Sequence, residues 1–294
     1  MRINTNTAAM NTYTKYSAAA NAKASALEKL SSGSRINSAA DDAAGLAISN
    51  KMTAQISGMK QARANAQDGI SLIQTAEGAL EETGKMLNRM RDLSLQASNG
   101  TLQAEDRQEI ALEMNTLFSN IKAVSQNTKF NGMAVFGSGA VQTFTFQVGA
   151  NSGETTSVGI KDMTPTGLSL DKLQASIAVL ATTTGATAIE SAASVFTASF
   201  GTGVLKTLDD AIKAVSDQRA QLGAAQNGLN HTVNSLEATT TNLAAANSRI
   251  KDVDMAQEMT SYTSSNILLQ AATSMLSQAN SMPQSVMTLL QNIG

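Results

Sequence analysis

The chain lacks cysteine and tryptophan, has two prolines, and draws only 3% of its 294 residues from the aromatic types. Without cysteine there can be no disulfide framework, thiol chemistry or cysteine metal site, and the redox compartment cannot be inferred. Much of the 42% hydrophobic content is alanine. Small side chains and few helix breakers favour long, closely packed helices over a compact globule.

Strong net charge and long apolar runs are also missing. A formal charge of −2 gives no electrostatic basis for binding nucleic acid or an anionic membrane surface. No run of 18 apolar residues predicts a membrane span, and the first residues lack the apolar region of a cleavable signal. These features alone predict a cytosolic protein with neither nucleic acid nor membrane as a partner.

Residues for catalysis are equally sparse. His231 is the single histidine, which gives no basis for a metal cluster or a histidine-dependent triad and predicts a solvated helix position. Asp41 and Asp42 are adjacent, so they point to different sides of a helix, and the helix dipole explains them. We therefore expect no enzyme activity, no catalytic residue, no cofactor and no metal.

The last 36 residues, 259–294, contain no charged side chain. Apolar residues recur there every three or four positions, which is the spacing of a coiled-coil seam. Burial of this seam falls short of the entropy cost of ordering the segment, so it should order only when other surfaces cover it. We call the following residues the C-terminal stripe: Leu268, Ala272, Met275, Ala279, Met282, Val286, Leu289 and Ile293.

A matching pattern lies near the start of the chain, within a helix predicted over residues 5–30. Its members form what we call the N-terminal stripe, and the pattern favours pairing with the C-terminal stripe. They are Met10, Tyr13, Ala20, Ala24 and Leu27.

Further helices are predicted over residues 42–98 and 104–127, and a fourteen-position apolar seam runs from Leu205 to Ile250. Four polar members of that seam, Arg219, Gln226, Thr240 and Asn247, would set its register. Between residues 130 and 161 the period changes from helical to two, which predicts a β-hairpin around an Asn-Ser-Gly turn. The fold class is therefore mainly α: an elongated, rod-like antiparallel helical bundle or coiled coil with a small β-hairpin and paired chain ends.

Three long motifs and one short one together resemble bacterial flagellin, the subunit of the flagellar filament. Residues 30–48 read LSSGSRINSAADDAAGLAI, residues 65–80 read NAQDGISLIQTAEGAL, residues 130–132 read FNG, and residues 248–259 read SRIKDVDMAQEM. The resemblance covers about residues 1–163 and 204–294.

The resemblance implies that different parts of the chain form different parts of the filament. Residues 1–40 with 255–294 would form an inner-tube coiled-coil domain with its linker, and residues 41–163 with 204–254 a rod-shaped helical core domain with the hairpin. Residues 164–203 would be a short, variable, solvent-facing segment.

The same resemblance implies a structural subunit that polymerises for motility. Its partners would be copies of itself, a flagellar export chaperone, the type III export apparatus, and hook-associated and cap proteins. Export without a cleavable signal would revise the cytosolic expectation to an extracellular flagellum.

One recognition site is implied by resemblance alone. Residues 87–96 are similar to the flagellin stretch engaged by the vertebrate Toll-like receptor that senses flagellin, where Arg89, Leu93 and Gln96 match its contact types and Glu113 occupies the matching place on the next helix. We expect these residues to share an exposed stripe. The alternative is that they serve subunit packing.

Two other functions compete with the filament subunit. A hook-filament junction protein shares flagellin-like ends, although the nearly unbroken match through residues 130–132 and 252–259 favours the bulk subunit. A coiled-coil signalling protein shares the alanine-rich, cysteine-free composition, but a receptor of that kind needs a membrane span.

Overall fold

The structure is a computed structural model that describes residues 5–137, 139–182 and 203–291. Long helices dominate it, joined by two short β-ladders. In chain order the elements are α1 (Thr7–Ser32), α2 (Ala43–Ala97), α3 (Ala104–Asn127), β1 (Lys129–Phe130), β2 (Met133–Ala134), β3 (Gln142–Gln147), β4 (Thr155–Ile160), α4 (Asp171–Thr182), α5 (Leu205–Lys251) and α6 (Met255–Gln291).

Helix ends follow local capping chemistry. The Asn6 side chain accepts a hydrogen bond from the Ala9 amide and starts α1. Gly33 ends it in the left-handed region at φ 68°, where its amide donates to the Lys29 carbonyl oxygen. A capping box between Gln103 and Asp106 starts α3. The predicted bounds of α3 are confirmed, and those of α1 and α2 are within two residues.

The chain divides into two compact units. Unit 1 comprises Met1–Ile56 and Thr241–Gly294, and unit 2 comprises Ser57–Thr240. Helices α2 and α5 contribute residues to both units.

Unit 2 holds a continuous hydrophobic core supplied by α2, α3, α4, α5 and the β3–β4 hairpin. Its largest fully buried side chains are Phe118, Leu72, Ile73, Leu80, Leu87, Met90, Leu93, Met114, Ile121 and Ile160. The seam predicted from Leu205 to Ile250 is confirmed, since four of its fourteen positions are buried and the other ten are half-buried. The predicted fold class is confirmed as mainly α with a small hairpin.

The hairpin is antiparallel, with Phe144 opposite Val158. It lies close to α2 because a side chain is absent at Gly69, where a Cβ atom would meet Phe146 at 3.3 Å and Leu229 at 3.2 Å. Gln218 on α5 is fully buried, and its side-chain amide donates a hydrogen bond to the Gly159 carbonyl oxygen of β4.

The segment predicted to face solvent, residues 164–203, differs from that expectation in its first part. Residues 171–182 form α4, which packs against α3. Leu168, Leu170, Leu173 and Ile177 are buried in the core of unit 2, because this short run carries enough apolar residues at helical spacing to cover α3. Residues 183–202 of the predicted segment lie outside the described residues.

No helix in the described part of the chain is both long enough and apolar enough to cross a bilayer.

Candidate assembly surface

Helices α1 and α6 pack side by side in unit 1 and run antiparallel. The Asn6 side-chain amide donates to the carbonyl oxygen of Ala279 over 2.8 Å. Farther along the pair, the Lys23 ammonium donates to the side-chain oxygen of Asn266 over 2.9 Å. These two contacts fix both the direction and the register of the pair.

The packed face of each helix follows a three-four spacing. On α1 it comprises positions 9, 12, 16, 19, 23, 26 and 30, and positions 20 and 29 beside it are also half-buried. On α6 it comprises positions 258, 262, 265, 269, 272, 276, 279 and 283, and position 266 beside it is also half-buried. Only the alanines Ala19, Ala26 and Ala272 are buried in it. Small residues at the centre of the contact let the two backbones approach closely.

The N-terminal stripe lies one position away from this packed face. Met10, Tyr13 and Leu27 are all more than half exposed. The prediction that this stripe pairs with the C-terminal stripe is therefore wrong for its large members. Successive helical residues point about 100° apart, so a stripe shifted by one residue turns from the partner to the solvent.

The C-terminal stripe is split between two faces of α6. Ala272 and Ala279 pack toward α1, whereas Leu268, Met275 and Met282 are exposed, Met275 most of all at 66%. Val286 and Leu289 lie within the α6 backbone, and Ile293 lies outside the described residues. As an assembly surface, both stripes stay a prediction.

An open groove of about 990 Å³ follows the α1–α6 pair. Helix α1 lines it with Ala18, Ala19 and Ala22 and also with four polar residues, one of them charged, and α6 lines it mainly with Leu268, Ala271, Ala272 and Met275. The polar α1 residues are Asn11, Thr12, Thr14 and Lys15. Its floor and walls are chiefly apolar, and residues 259–291 of α6 contribute no charge. Such a surface binds another apolar surface better than it binds water.

Lys23 is the charged residue within the packed face of α1. Its ammonium lies 5.7 Å from the centre of the Tyr262 ring, besides its hydrogen bond to Asn266. The ring face and the amide oxygen both stabilise a cation. A lysine at a seam position can thereby specify register, because a slipped pair would lose both contacts.

A short backbone clasp joins the chain just after α1 to the chain just before α6. The Val253 amide donates to the Gly33 carbonyl oxygen over 3.1 Å, and the Arg35 amide donates to the Lys251 carbonyl oxygen over 2.6 Å. Ser34 and Asp252 form the bridge between them. Helix α1 therefore ends, and helix α6 begins, next to the same hydrogen-bonded point.

The loop between the clasp and α2 is held by Asp41. Its carboxylate accepts hydrogen bonds from the backbone amides of Ser38 and Asn37 and from the Ser38 hydroxyl. These donors, the Ser38 amide first, lower the pKa of the Asp41 carboxyl below its ordinary value.

The residues predicted for receptor recognition are only partly brought together. Arg89 and Glu113 are exposed and form an ion pair with each other, 2.7 Å from Nη2 to Oε1, and Gln96 is exposed on the same helix as Arg89. Leu93 is 2% exposed and belongs to the core of unit 2. The expectation that Leu93 shares the exposed stripe is wrong, because it follows Met90 by three residues on the core face.

The single histidine, His231, is exposed on α5. Within residues 5–137, 139–182 and 203–291, no group of three or more histidine, cysteine or acidic side chains could hold a metal ion.

Comparison with known proteins identifies both ends of the chain. A family model described as the bacterial flagellin N-terminal helical region matches residues 3–140, and one described as the bacterial flagellin C-terminal helical region matches residues 205–290. A flagellin from Bacillus subtilis is 48% identical over 304 aligned residues, which cover 99% of this chain and all of the relative.

Two further comparisons agree on family and fold. A flagellin from Halalkalibacterium halodurans is 44% identical over 291 residues, again covering 99% of this chain and all of the relative. Among solved structures, a putative flagellar hook-associated protein from Vibrio parahaemolyticus has a TM-score of 0.57 and 16% identity, covering 72% of this chain and all of that one. That likeness concerns the fold alone.

Proposed function

Because the chain belongs to the bacterial flagellin family and is a structural subunit of the flagellar filament, we propose that α1 and α6 form its main polymerising surface. Copies of the α1–α6 pair pack on one another through the exposed members of the N-terminal and C-terminal stripes. The subunit is structural and has no enzyme activity. Self-association into the filament is the function that its geometry serves.

One observation carries this proposal. Of fifteen large apolar side chains that are exposed among the described residues, ten lie in unit 1. A surface of this kind is costly to leave in water and is typical of a protein interface. The absence of charge from residues 259–291 supports packing against identical copies, since like charges would repel across such a contact.

The proposal assigns the chain to two functional regions. Residues 1–40 with 255–294 supply the inner tube of the filament, and residues 41–163 with 204–254 supply the helical core around it. The clasp supports a link between the two terminal helices, because it joins the residues that follow α1 to the residues that precede α6.

The remaining partners follow from the family. We propose that the protein works outside the cell and is exported through the flagellar type III apparatus with the help of an export chaperone. At the filament ends it would contact hook-associated and cap proteins. Residues 259–291 of α6 carry no charge, and the large apolar side chains of its stripe are exposed. Both observations support a chaperone that covers α6 until the subunit assembles.

Polymerisation of the purified full-length chain tests the assembly surface. Leu268→Asp puts a charge on a face that is buried only in the polymer, so it should abolish polymer recovered by sedimentation and seen by electron microscopy while the circular dichroism of the monomer changes little. Val141→Asp is the matched control, since both side chains are 58% exposed and Val141 lies outside the terminal helices. Normal filaments from the Leu268→Asp chain would contradict the proposed surface.

Host receptor recognition is a second proposal, supported by the exposed Arg89–Glu113 pair and the nearby exposed Gln96. Leu93 then acts beneath this surface as a packing residue. Arginine is frequent among interface hot spots, whose truncation costs about 2 kcal/mol or more, so Arg89→Ala should weaken a reporter-cell response to monomer about thirtyfold.

The control for Arg89→Ala is Lys85→Ala, an exposed cation one turn earlier on α2 that pairs with Glu81 and Glu82. An unchanged response to Arg89→Ala, or equal loss from both variants, would exclude a specific role for Arg89. Equal potency of monomer and intact filament would show that assembly does not cover this surface.

A further inference from the structure

Methionine is the only oxidisable sulfur in the chain, which has fourteen methionines and no cysteine. Six methionines are exposed among the described residues, and five of these lie on the terminal helices. The five are Met10 on α1 and Met255, Met259, Met275 and Met282 on α6; the sixth is Met133 on β2. In contrast, Met90, Met114 and Met163 are buried in unit 2. The sulfur that a dissolved oxidant can reach is thus concentrated on the helices that assemble.

Met275 is the most exposed of these methionines and lines the groove beside Leu268 and Ala272. We propose that Met275 is a site of reversible oxidation by hydrogen peroxide, and that its sulfoxide prevents the free subunit from joining the filament. This inference rests on the proposed assembly function of α1 and α6.

The step is a two-electron oxidation. The thioether sulfur attacks one peroxide oxygen, an S–O bond forms and the O–O bond breaks. The displaced hydroxide takes the proton from the oxygen now bound to sulfur, which leaves the sulfoxide and one molecule of water. Methionine becomes methionine sulfoxide while hydrogen peroxide is reduced to water, and methionine sulfoxide reductases can reverse the change.

The sulfoxide changes the chemistry of the groove. A flexible apolar side chain becomes a polar, chiral one, and its new oxygen would have to be buried against an apolar neighbour when a second subunit arrives. Burying a polar group without a hydrogen bond is unfavourable. The critical concentration for polymerisation should therefore rise at least about tenfold after oxidation.

Assembly should reverse the exposure on which the reaction depends. Once the groove is covered by another subunit, peroxide no longer reaches the sulfur of Met275, so oxidation before assembly blocks growth and oxidation afterwards leaves the filament intact. The chain thereby allows a damaged subunit to be excluded while the finished polymer persists.

The first test needs no mutation. Wild-type monomer is oxidised to partial conversion with hydrogen peroxide, catalase removes the excess, seeds are added, and pellet and supernatant are compared by peptide mass spectrometry. We expect Met275 sulfoxide to be depleted from the pellet, and Met133 sulfoxide to be divided equally between the two fractions. Equal fractions of Met275 sulfoxide in pellet and supernatant would overturn the proposal.

The second test uses Met275→Leu, which keeps an apolar side chain of similar volume. After peroxide treatment to the same partial conversion, the critical concentration of this variant should rise clearly less than that of wild type, for which we expect a rise of at least about tenfold. Met133→Leu should remain as sensitive as wild type. Treatment of the oxidised wild-type chain with methionine sulfoxide reductase should restore polymerisation, and failure to restore it would contradict a reversible site.

The outcomes separate the two proposals. If untreated wild type does not polymerise, the assembly function fails and this inference fails with it. If untreated wild type polymerises but Met275→Leu is as peroxide-sensitive as wild type, the assembly function stands and the Met275 site is excluded.

Discussion

The two units of this chain treat their large apolar side chains in opposite ways. Unit 2 buries Phe118, Leu72, Ile73 and Leu80 almost completely, and its core continues through four helices and a hairpin. Unit 1 buries three alanines and Ile36, and it exposes ten of its larger apolar side chains. Both units use heptad-like spacing, so periodicity is not what separates them.

The difference lies in which residues occupy the contact. In unit 2 large residues face inward, and burial of each contributes about 1.5–3 kcal/mol to folding. In the α1–α6 pair small residues face inward and large ones face out. Unit 2 therefore obtains its stability from its own core, whereas unit 1 leaves most of its large apolar side chains exposed and, under the proposed assembly function, buries them only against another subunit.

The largest expected effect is the contrast between a core truncation and a surface truncation. Phe118→Ala should lower the free energy of unfolding of the monomer by about 3–5 kcal/mol, because it leaves a cavity in unit 2. Leu268→Ala should change it by less than about 0.5 kcal/mol. Urea unfolding of the monomer, followed by circular dichroism, measures both.

Polymerisation provides the reverse comparison. Leu268→Ala should raise the critical concentration, although its monomer unfolds like wild type. If Leu268→Ala destabilised the monomer as much as Phe118→Ala, the large apolar side chains of unit 1 would contribute to monomer stability as those of unit 2 do, and the proposed difference between the two units would be wrong.

A smaller effect is expected at Gln218, the buried side chain that holds the hairpin. Its Nε2 donates to the Gly159 carbonyl oxygen over 3.1 Å, and its Oε1 accepts from the Lys161 amide over 3.3 Å. Gln218→Met keeps the length of the side chain but removes both of these part-buried hydrogen bonds. At about 0.5–1.5 kcal/mol for each bond, the variant should lose about 1–3 kcal/mol in the same unfolding experiment.

Gln226→Met is the control for Gln218, because Gln226 is a half-buried glutamine on the same helix. Equal losses at the two positions would show that the pairing with β4 has no special weight. A loss of unfolding free energy at Gln218 alone would show that unit 2 is also stabilised by its own internal polar contacts.

In unit 1 the corresponding polar contact should contribute less. Lys23→Ala removes the hydrogen bond to Asn266 and the contact with the Tyr262 ring, and should destabilise the α1–α6 pair by about 0.5–1.5 kcal/mol. Amide hydrogen exchange in α1 and α6 should quicken while exchange in α3 stays unchanged. Lys15→Ala, at an exposed position on α1, is the control, and equal quickening there would exclude a register role for Lys23.

The smallest effect concerns acid. The Asp41 carboxyl has a folded-state pKa below its ordinary value of 3.8, so its stabilisation of the loop is present above about pH 4 and is lost as the pH falls through the lower folded value. Hydrogen exchange of residues 37–41 should quicken in that acid range. Asp41→Asn should remove the pH dependence, and an unchanged dependence in that variant would assign it to another group.

Where apolar size and period agree, the sequence was a good guide. Helix α3 was predicted with its observed bounds because Glu105 and Asp106 mark its first turn and Ile110, Met114 and Ile121 keep a helical period. The hairpin was predicted because Phe144 and Phe146 alternate with threonine. In both cases one physical signal was strong enough to exclude the alternatives.

Where alanine is abundant, the period fixes a helix but not its packed face. In α1 the large residues Met10, Tyr13 and Leu27 drew the prediction to one stripe, while the pair uses Ala19 and Ala26 on the next. Alanine fits an interface or a surface equally well, so side-chain pattern alone could not choose between stripes one residue apart. The placement of Leu93 was missed for a related reason, since a motif does not state which of its residues face the core.

The clasp could not be predicted from residue types at all. Its contacts join backbone amides and carbonyls at Gly33, Arg35, Lys251 and Val253, and backbone groups carry no signature of their partner. Only Gly33 gave a hint, because a glycine after a helical pattern suggests a left-handed cap.

The pairing of Asn6 with Ala279 also determines when unit 1 can fold. The two residues are 273 positions apart, so α1 has no partner helix until nearly the whole chain is available. Closing such a loop delays the contact relative to the local packing of α2 with α3. A growing chain therefore carries its first helix unpaired while unit 2 can already form, and the α1–α6 pair is the last part of the molecule to be completed.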